Sequence, residues 1–415
     1  MQLQVLPSQR AVAVADLKLG MFICNLDRPW IETRFLFQGF SLTNTEDLEE
    51  LRRLCRYVII DTARGVEADR YLESLAPPSP QDALETILQK RGDGLVYKDT
   101  VSLEEELGPA REIYNDLNEI MGNIMEDVRS RKKTDFGTVR VVVNGLIGSV
   151  LRNPDAFMWL SKLKQKDAYT YVHSIDACSL AVAFGRHLGL PQAELEHLAV
   201  GTLLFDVGKM RLPKDLLSKP GRLTEQEFQL MRKHVEYSVQ QMQAIDGICA
   251  ESIEVAQHHH ERFNGQGYPH GLKGTTTPIY GRIAGLVDCY DAITSDRPYS
   301  PAISQHDAIK KLYEWRNVDF QETLVEQFIQ CLGIYPTGSM VELSTGEVGV
   351  VLAQNRVRRL RPKVLLILDE NKVAYDFSPV KDLATETIDK HGQPLEISQP
   401  LEPASYGIDP KDYYL

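Results

Sequence analysis

No C-x-x-C pair occurs in this chain, and its six cysteines, Cys24, Cys55, Cys178, Cys249, Cys289 and Cys331, are scattered over 415 residues. That scatter argues against a thiolate zinc module and a disulfide-stapled secreted framework, and it fits reduced thiols in a cytoplasmic protein. No uninterrupted apolar run approaches the ~20 residues of a membrane span, and the opening MQLQVLPSQR lacks the basic stretch and apolar core of a signal peptide. Positive charge is also short. Lys and Arg total 46 against 58 Asp and Glu, and the formal net charge of −12 repels a nucleic-acid polymer or an anionic membrane. A small anionic ligand stays open to the chain wherever metal ions and a few basic residues make a local positive pocket. Internal repeats and low-complexity tracts are absent too.

What is present is the composition of a globular protein, 43% hydrophobic and 25% charged, with a negative mean hydropathy. A mass of 46.9 kDa exceeds one ordinary core, so two or three domains are expected. Residues 8–75 mix short strand-like segments, Met21 to Cys24 and Val58 to Ile60, with one helical stretch from Asp47 to Leu54, which reads as a small α+β module. The polar, Pro-rich PPSPQ begins a linker over 76–106. Connecting helices follow over 107–164, where Ile113, Leu117, Ile120, Met121, Ile124 and Val128 recur every three or four positions. Packing in the core is the first reading of that stripe, a dimer surface the second.

A helical domain is expected over 165–332. Its clearest helix start is the T-x-x-E capping box of Thr224 and Glu227, ahead of Phe228, Met231, Val235 and Val239, on a helix carrying His234. Beyond it Met340 to Leu343, Val348 to Leu352 and Val364 to Leu368 are β-rich and separated by turns such as Thr345-Gly346, so 333–395 reads as a small β domain and 396–415 as a tail. The fold class is thus multidomain: a mainly α-helical bundle between a small N-terminal α+β module and a small C-terminal β domain.

Chemistry-bearing residues gather in the helical part: His173 in YVHS, Asp206 in FDVGK, His234, the run His258 to His260, and Asp288 and Asp291 in VDCYDA. Imidazoles and carboxylates on several helices converge in a bundle core when they build a dinuclear site, and a carboxylate can bridge two ions where an imidazole cannot. Two ions roughly 3.5–4 Å apart suit phosphodiester hydrolysis. Singly, each residue has a plainer account. His173 and His234, the latter beside Lys233 and Glu236, read equally as surface histidines, and Asp206 as a turn residue before Gly208. Only the triple run resists, since adjacent positions on a helix lie ~100° apart and three imidazoles cannot share one polar face.

The stretch HHERFNGQGYP, His259 to Pro269, followed by Gly271-Leu272, resembles the defining segment of the HD-GYP family. YVHS, DVGK at Asp206 to Lys209, KPGRLTEQE from Lys219, DCYDA at Asp288 and DRPY at Asp296 to Tyr299 match in the family's order, over about residues 165 to 330. The outer segments, 12 to 61 and IYPTGSMVELSTGEVGVV, resemble domains that flank HD-GYP domains in bacterial proteins. The resemblance implies hydrolysis of cyclic di-GMP to the linear dinucleotide or GMP with two divalent metal ions, iron or manganese. His173, Asp206 and Asp288 would hold one ion, and Asp206, His234, His259 and His260 the other. Lys209 would approach the scissile phosphate, while Tyr268, Gly267, Arg262 and Arg297 would touch the nucleotide. A homodimer or a signalling-protein partner is compatible with this reading.

The sequence departs from the pattern at the HD pair itself, which is Phe205-Asp206, so one imidazole is replaced by a side chain that cannot ligate. Tyr169 stands where some members carry a glutamate tied to a third metal, which leaves two as the expected count, and Ser300 replaces a basic residue. Hydrolysis is therefore one reading, and a binding-only cyclic di-GMP sensor is the alternative. A third reading, an HD-type phosphohydrolase acting on mononucleotides, is opposed by the GYP loop.

Overall fold

The computed structural model describes residues 9–27, 33, 35, 40–61, 84, 87, 88, 96–130, 132, 135–161, 169–219, 221–295, 302–402 and 405–408. They fall into two compact units, one containing residues 1–82 with 356–360 and the other 83–355 with 361–415.

In the first unit, β1 (Gln9–Ala13), β2 (Phe22–Leu26), β3 (Phe40–Ser41) and β4 (Tyr57–Asp61) form an antiparallel sheet in the order β1-β4-β2-β3. Helix α1 (Thr45–Leu54) starts where the Asn44 side chain accepts from the Asp47 amide at 2.7 Å, a cap that satisfies one of the orphan donors of the first turn. Leu48 and Leu51 of α1 join Ile23, Leu26, Leu42, Val58 and Ile60 in one core. The α+β reading of this region therefore matches the elements observed. Of the linker expected over 76–106, PPSPQ lies outside the described residues, and the linker's last residues are corrected to helix, since a helix begins at Leu103.

The second unit is mostly helical. It contains α2 (Leu103–Ser130), α3 (Phe136–Arg152), α4 (Pro154–Leu160), α5 (Tyr169–Leu188), α6 (Gln192–Leu204), α7 (Lys214–Leu217), α8 (Glu225–Gln243), α9 (Ala250–His258), α10 (Ile279–Ile293), α11 (Gln305–Glu314) and α12 (Glu322–Leu332). The stripe on α2 is spent inside the chain. Leu117, Met121, Ile124 and Val128 are buried, where α2 meets α3, α4 and α5. At the other end of α2, Glu106 is buried and its carboxylate accepts from Arg152 at 2.7 Å and from Ser149 at 2.6 Å, the pairing a buried charge requires.

Helices α5, α6, α9 and α10 pack in a closed ring, α5 on α6, α6 on α9, α9 on α10 and α10 back on α5, with α8 against α9. Helix α8 begins with the anticipated capping box: Thr224 Oγ1 accepts from the Glu227 amide and Glu227 Oε2 accepts from the Thr224 amide. After α12 come β5 (Met340–Leu343), β6 (Val348–Ala353), β7 (Lys363–Leu368), β8 (Val380–Asp382) and β9 (Ile397–Pro400), an antiparallel sheet in the order β8-β7-β6-β5-β9. Its core is Val341, Leu343, Val351, Val364, Leu366, Leu383 and Leu395. The buried Asp155 carboxylate ties this sheet to α4, accepting from Thr337 Oγ1 and the Gln354 amide, both at 3.2 Å. The segment read as a tail supplies β9. Four residues of weak β character become a strand because β5 offers a free edge to pair with.

Candidate metal centre

Asp206 stands at the corner where α6 gives way to the 3-10 turn Val207–Arg211. Two residues on, Gly208 presses this turn against α8. Its amide donates to Ser238 Oγ at 2.9 Å, and a Cβ there would lie 2.2 Å from the His234 carbonyl oxygen, so no side chain fits. Gly285 does the same for α10: a Cβ would sit 2.6 Å from the carbonyl oxygen of His259. These two close approaches bring carboxylates of α10 and the Asp206 corner to imidazoles that follow from α8 and α9.

The result is a cluster of Asp206, His234, His259 and His260 whose ligand atoms all lie within 4.8 Å of one another. Asp206 Oδ1 is 3.3 Å from His234 Nε2 and 3.9 Å from His259 Nε2. His260 Nε2 is 3.1 Å from His234 Nε2. His234 Nδ1 donates to the Met231 carbonyl and His259 Nδ1 to that of Ala256, each at 2.8 Å. The protons are thereby fixed on Nδ1, and the Nε2 lone pairs turn inward. Asp206 Oδ1 and His259 Nε2 are buried and have no hydrogen-bond partner. Orphaned acceptors are costly in a protein interior, and a cation among them removes the cost, so the donor set fits a metal ion.

The electrostatics agree. Burial holds the His234 imidazole down at about 4, and burial likewise lowers His259 and His260, so all three are neutral at pH 7, the form that can hold a metal ion. Burial alone would raise Asp206, but the Lys209 ammonium and then the His234, His259 and His173 imidazoles hold it below the ordinary carboxylate range. Lys209 Nζ donates to Asp206 Oδ2 at 2.5 Å.

His173 reaches the same carboxylate from α5, with Nε2 3.8 Å from Asp206 Oδ2 and 2.9 Å from Asp288 Oδ1. Its Nδ1 lies 2.6 Å from Asp291 Oδ2. Burial pushes this imidazole down, but the two carboxylates outweigh it and bring it up to about 9. Asp288 also lies 3.9 Å from His260 through Oδ2 and Nδ1. Between the two groups stands Phe205, fully buried, its ring centroid 4.7 Å from that of His259 and 5.8 Å from that of His173.

Tyr268 lies beside the cluster, its ring stacked on His260 at 4.6 Å, and burial first, then Asp288 and Asp206, raise its hydroxyl above the ordinary value. Gly267 packs against backbone: a Cβ would meet the Arg262 amide nitrogen at 2.3 Å and the Glu261 Cα at 2.5 Å. Arg262 is engaged through one terminal nitrogen, Nη1. Its guanidinium donates to the carbonyls of Glu261 at 3.0 Å and His259 at 3.3 Å and lies over the Phe320 ring. Arg297 falls outside the described residues, as does the side chain of Tyr169. His258 points away from the cluster, with Nδ1 on the Glu254 carbonyl at 2.9 Å.

Two contributors lacked an assigned role in the sequence reading. Asp291 orients His173, and the i, i+3 spacing to Asp288 places both on one helix face. Glu261, buried, accepts from the His270 amide at 2.8 Å and the Leu272 amide at 2.9 Å, which closes the loop that presents Tyr268. Its position in HHE was visible, its partners were not.

Comparison with known proteins places these features. The HD domain family matches residues 156–324, and the domain of unknown function DUF3391 matches 9–139, reaching past the N-terminal sheet into α2 and α3. A cyclic di-GMP phosphodiesterase of Pseudomonas aeruginosa is 34% identical over 365 residues, covering 86% of this chain and 84% of its own. A cyclic di-GMP phosphodiesterase response regulator of Xanthomonas campestris pv. campestris is 35% identical over 147 residues, 34% of this chain and 38% of its own. Among solved structures, the HDG"Y"P protein Bd1817 from Bdellovibrio bacteriovorus has a TM-score of 0.46 and 17% identity, covering 77% of this chain and 98% of its own. On the similarity over most of both chains and the two domain matches, this chain belongs to the HD domain proteins of the HD-GYP type that carry a DUF3391 domain ahead of the HD domain.

Proposed function

We propose that this protein hydrolyses cyclic di-GMP, to the linear dinucleotide or onward to GMP, at a divalent metal centre in its helical bundle. The observation that carries the reading is the inward-facing donor set, in which Asp206 Oδ1 and His259 Nε2 are buried without hydrogen-bond partners beside the Nε2 atoms of His234 and His260. The Pseudomonas aeruginosa relative, named for that activity and alignable over most of both chains, supports the substrate.

A divalent cation supplies polarisation of a phosphoryl oxygen and a water more acidic than bulk water. Asp206, His234, His259 and His260 would hold one ion. His173, Asp206 and Asp288 would hold a second, with Asp206 offering one oxygen to each side. Iron or manganese suits imidazole and carboxylate donors of this kind. Lys209, fixed 2.5 Å from Asp206 Oδ2, places an ammonium beside the ligands, where it counters the charge of the scissile phosphate. Asp291 holds the His173 ring in orientation, and Tyr268 borders the substrate with a protonated hydroxyl able to donate. Arg297 is proposed to contact the nucleotide as well. Among the described residues no helix is long and apolar enough to cross a membrane. All six cysteines are free, which supports a cytoplasmic site of action.

The binding-only reading rests on Phe205 alone. A complete four-donor set and an ammonium aimed at it are more than recognition of a nucleotide requires, and hydrolysis is favoured. The test is turnover of cyclic di-GMP by anaerobically purified protein supplied with Fe(II) or Mn(II), followed by chromatography with Asp206→Ala as the blank. Linear dinucleotide or GMP above the blank is expected. Saturable binding of the intact nucleotide with no product would replace this reading with the sensor.

A further inference from the structure

We propose that Arg232, on α8, forms a subsite for the phosphodiester of the cyclic dinucleotide that is not being cleaved, with Phe228 and Tyr268 holding its guanidinium in place. This rests on the proposed hydrolysis of a substrate that carries two phosphates. Arg232 lies two positions before His234, and its guanidinium carbon sits 4.5 Å from the Tyr268 ring centroid and 5.2 Å from that of Phe228. Those rings meet edge to face at 6.1 Å. Tyr268 in turn stacks on His260, whose Nε2 is 3.1 Å from His234 Nε2. The guanidinium is therefore separated from the metal-ligating imidazoles by a single aromatic ring.

Its hydrogen bonding is incomplete. Arg232 Nε is buried and makes no hydrogen bond, and among the described residues no carboxylate pairs with the side chain. A partly buried cation without a counter-charge is unfavourable in the free protein. Its neighbours differ. Lys209 is tied to Asp206, and Arg262 donates to two backbone carbonyls. Of these three cations Arg232 alone has no acceptor. In a chain of net charge −12, acidic partners were not scarce, so the absence of one at this position points to an anion arriving from outside. Contact with two aromatic rings restricts the guanidinium, and a guanidinium held in place suits bidentate binding of a phosphate. Lys209 serves the phosphate at Asp206, and Arg232 is placed for the other.

The experiment uses metal-loaded full-length protein and compares wild type, Arg232→Ala and Arg232→Lys. The readouts are kcat and KM on cyclic di-GMP, affinity by calorimetry, metal content by elemental analysis, and hydrolysis of bis(p-nitrophenyl) phosphate, which has one phosphodiester. Loss of charge-assisted hydrogen bonds predicts a KM for cyclic di-GMP raised about tenfold to a hundredfold in Arg232→Ala, with kcat lowered less. Arg232→Lys should recover part of the affinity, metal content should match wild type, and the loss on the single-phosphate substrate should be at least ~10-fold smaller. An unchanged KM and affinity overturns the proposal. So does an equal loss on both substrates or a loss of metal, since either would make Arg232 a support for the Tyr268 loop. Should wild type bind cyclic di-GMP without turnover, hydrolysis fails while the calorimetric comparison still decides the subsite. Should wild type neither bind nor hydrolyse it, both proposals fall.

Discussion

Substituting Gly208 by alanine tests how the site is assembled, because the contact it perturbs is made by backbone on both sides. A Cβ at this position would stand 2.2 Å from the His234 carbonyl oxygen, 2.4 Å from the Ser238 nitrogen and 2.8 Å from Ser238 Oγ. Ordinary contact for such atoms is about 3.5 Å, so the shortfall is a little over 1 Å. Rotating a side chain cannot relieve it. Either α8 retreats or the Asp206 corner does, and in both cases the 3.3 Å approach of Asp206 Oδ1 to His234 Nε2 opens while the Gly208 amide loses Ser238 Oγ.

A misplacement of about 1 Å costs on the order of 100-fold in rate, and overpacking of this kind costs about 1–3 kcal/mol of stability. Gly208→Ala is therefore expected to purify with less bound metal, to turn over cyclic di-GMP about 100-fold more slowly, and to unfold at lower urea. The control is Gly122→Ala on α2, where the added methyl meets nothing within 4 Å and a helical glycine is replaced by a better helix former. That variant should keep its metal and rate and gain slightly in stability. A Gly208→Ala protein with wild-type metal content and turnover would refute the idea that this contact sets the distance between Asp206 and His234.

Phe205→His should raise metal content, measured by elemental analysis, and lower the urea midpoint of the metal-free protein, because a buried apolar ring is exchanged for a polar one; unchanged metal content would mean the His173 side is completed in another way. Glu261→Gln keeps one acceptor for two amides, so the His270–Leu272 segment should exchange its amide hydrogens faster and KM should rise severalfold with metal content retained; unaltered exchange would remove Glu261 from its role as clamp. In chelator-treated protein, the imidazoles of His234, His259 and His260 are held low in the fold and take up protons only on unfolding, so stability falls as pH drops below 6.5 towards 4. His173 is held up at about 9, so its contribution is present below 6.5 and is lost as pH rises through 9. Thermal melts across this range should peak between the two limbs, and His173→Asn should abolish the alkaline limb; its survival in that variant would assign it elsewhere.

Much of the site was legible because its residues sit at fixed spacings on helices whose boundaries are also written in the sequence. Thr224 and Glu227 announced α8 and the capping box is present. The direction in which His234 faces was not legible, since Lys233 and Glu236 flank it and both are exposed in the fold; the helix turns ~100° per residue, and only packing decides which residue of that stretch is inside. The backbone partners of Arg262 were not legible either: Nη1 of its guanidinium donates to the carbonyls of His259 and Glu261, which only the turn after α9 brings within reach. Strand β9 was hidden for a related reason. Its ISQP sequence has weak β propensity, and the unpaired edge of β5 that recruits it is a property of the tertiary structure.

The position of Phe205 makes the centre asymmetric. On one side of its ring lie three imidazoles that burial keeps neutral, two with their protons committed to backbone carbonyls. On the other lies His173, charged in the metal-free protein by two carboxylates. An imidazole at this position would offer a donor between the halves; a phenyl ring offers contact and excludes water. On the neutral side the Nε2 atoms of His234 and His259 carry no proton, whereas on the other the His173 Nε2 proton is shared with Asp288 and would have to leave before that nitrogen could hold an ion. In the proposed two-ion arrangement the four-donor position would therefore fill first and at lower pH. An ion on the His173 side would compete with the Lys209 ammonium for Asp206 Oδ2, so Phe205 and Lys209 would act on one equilibrium.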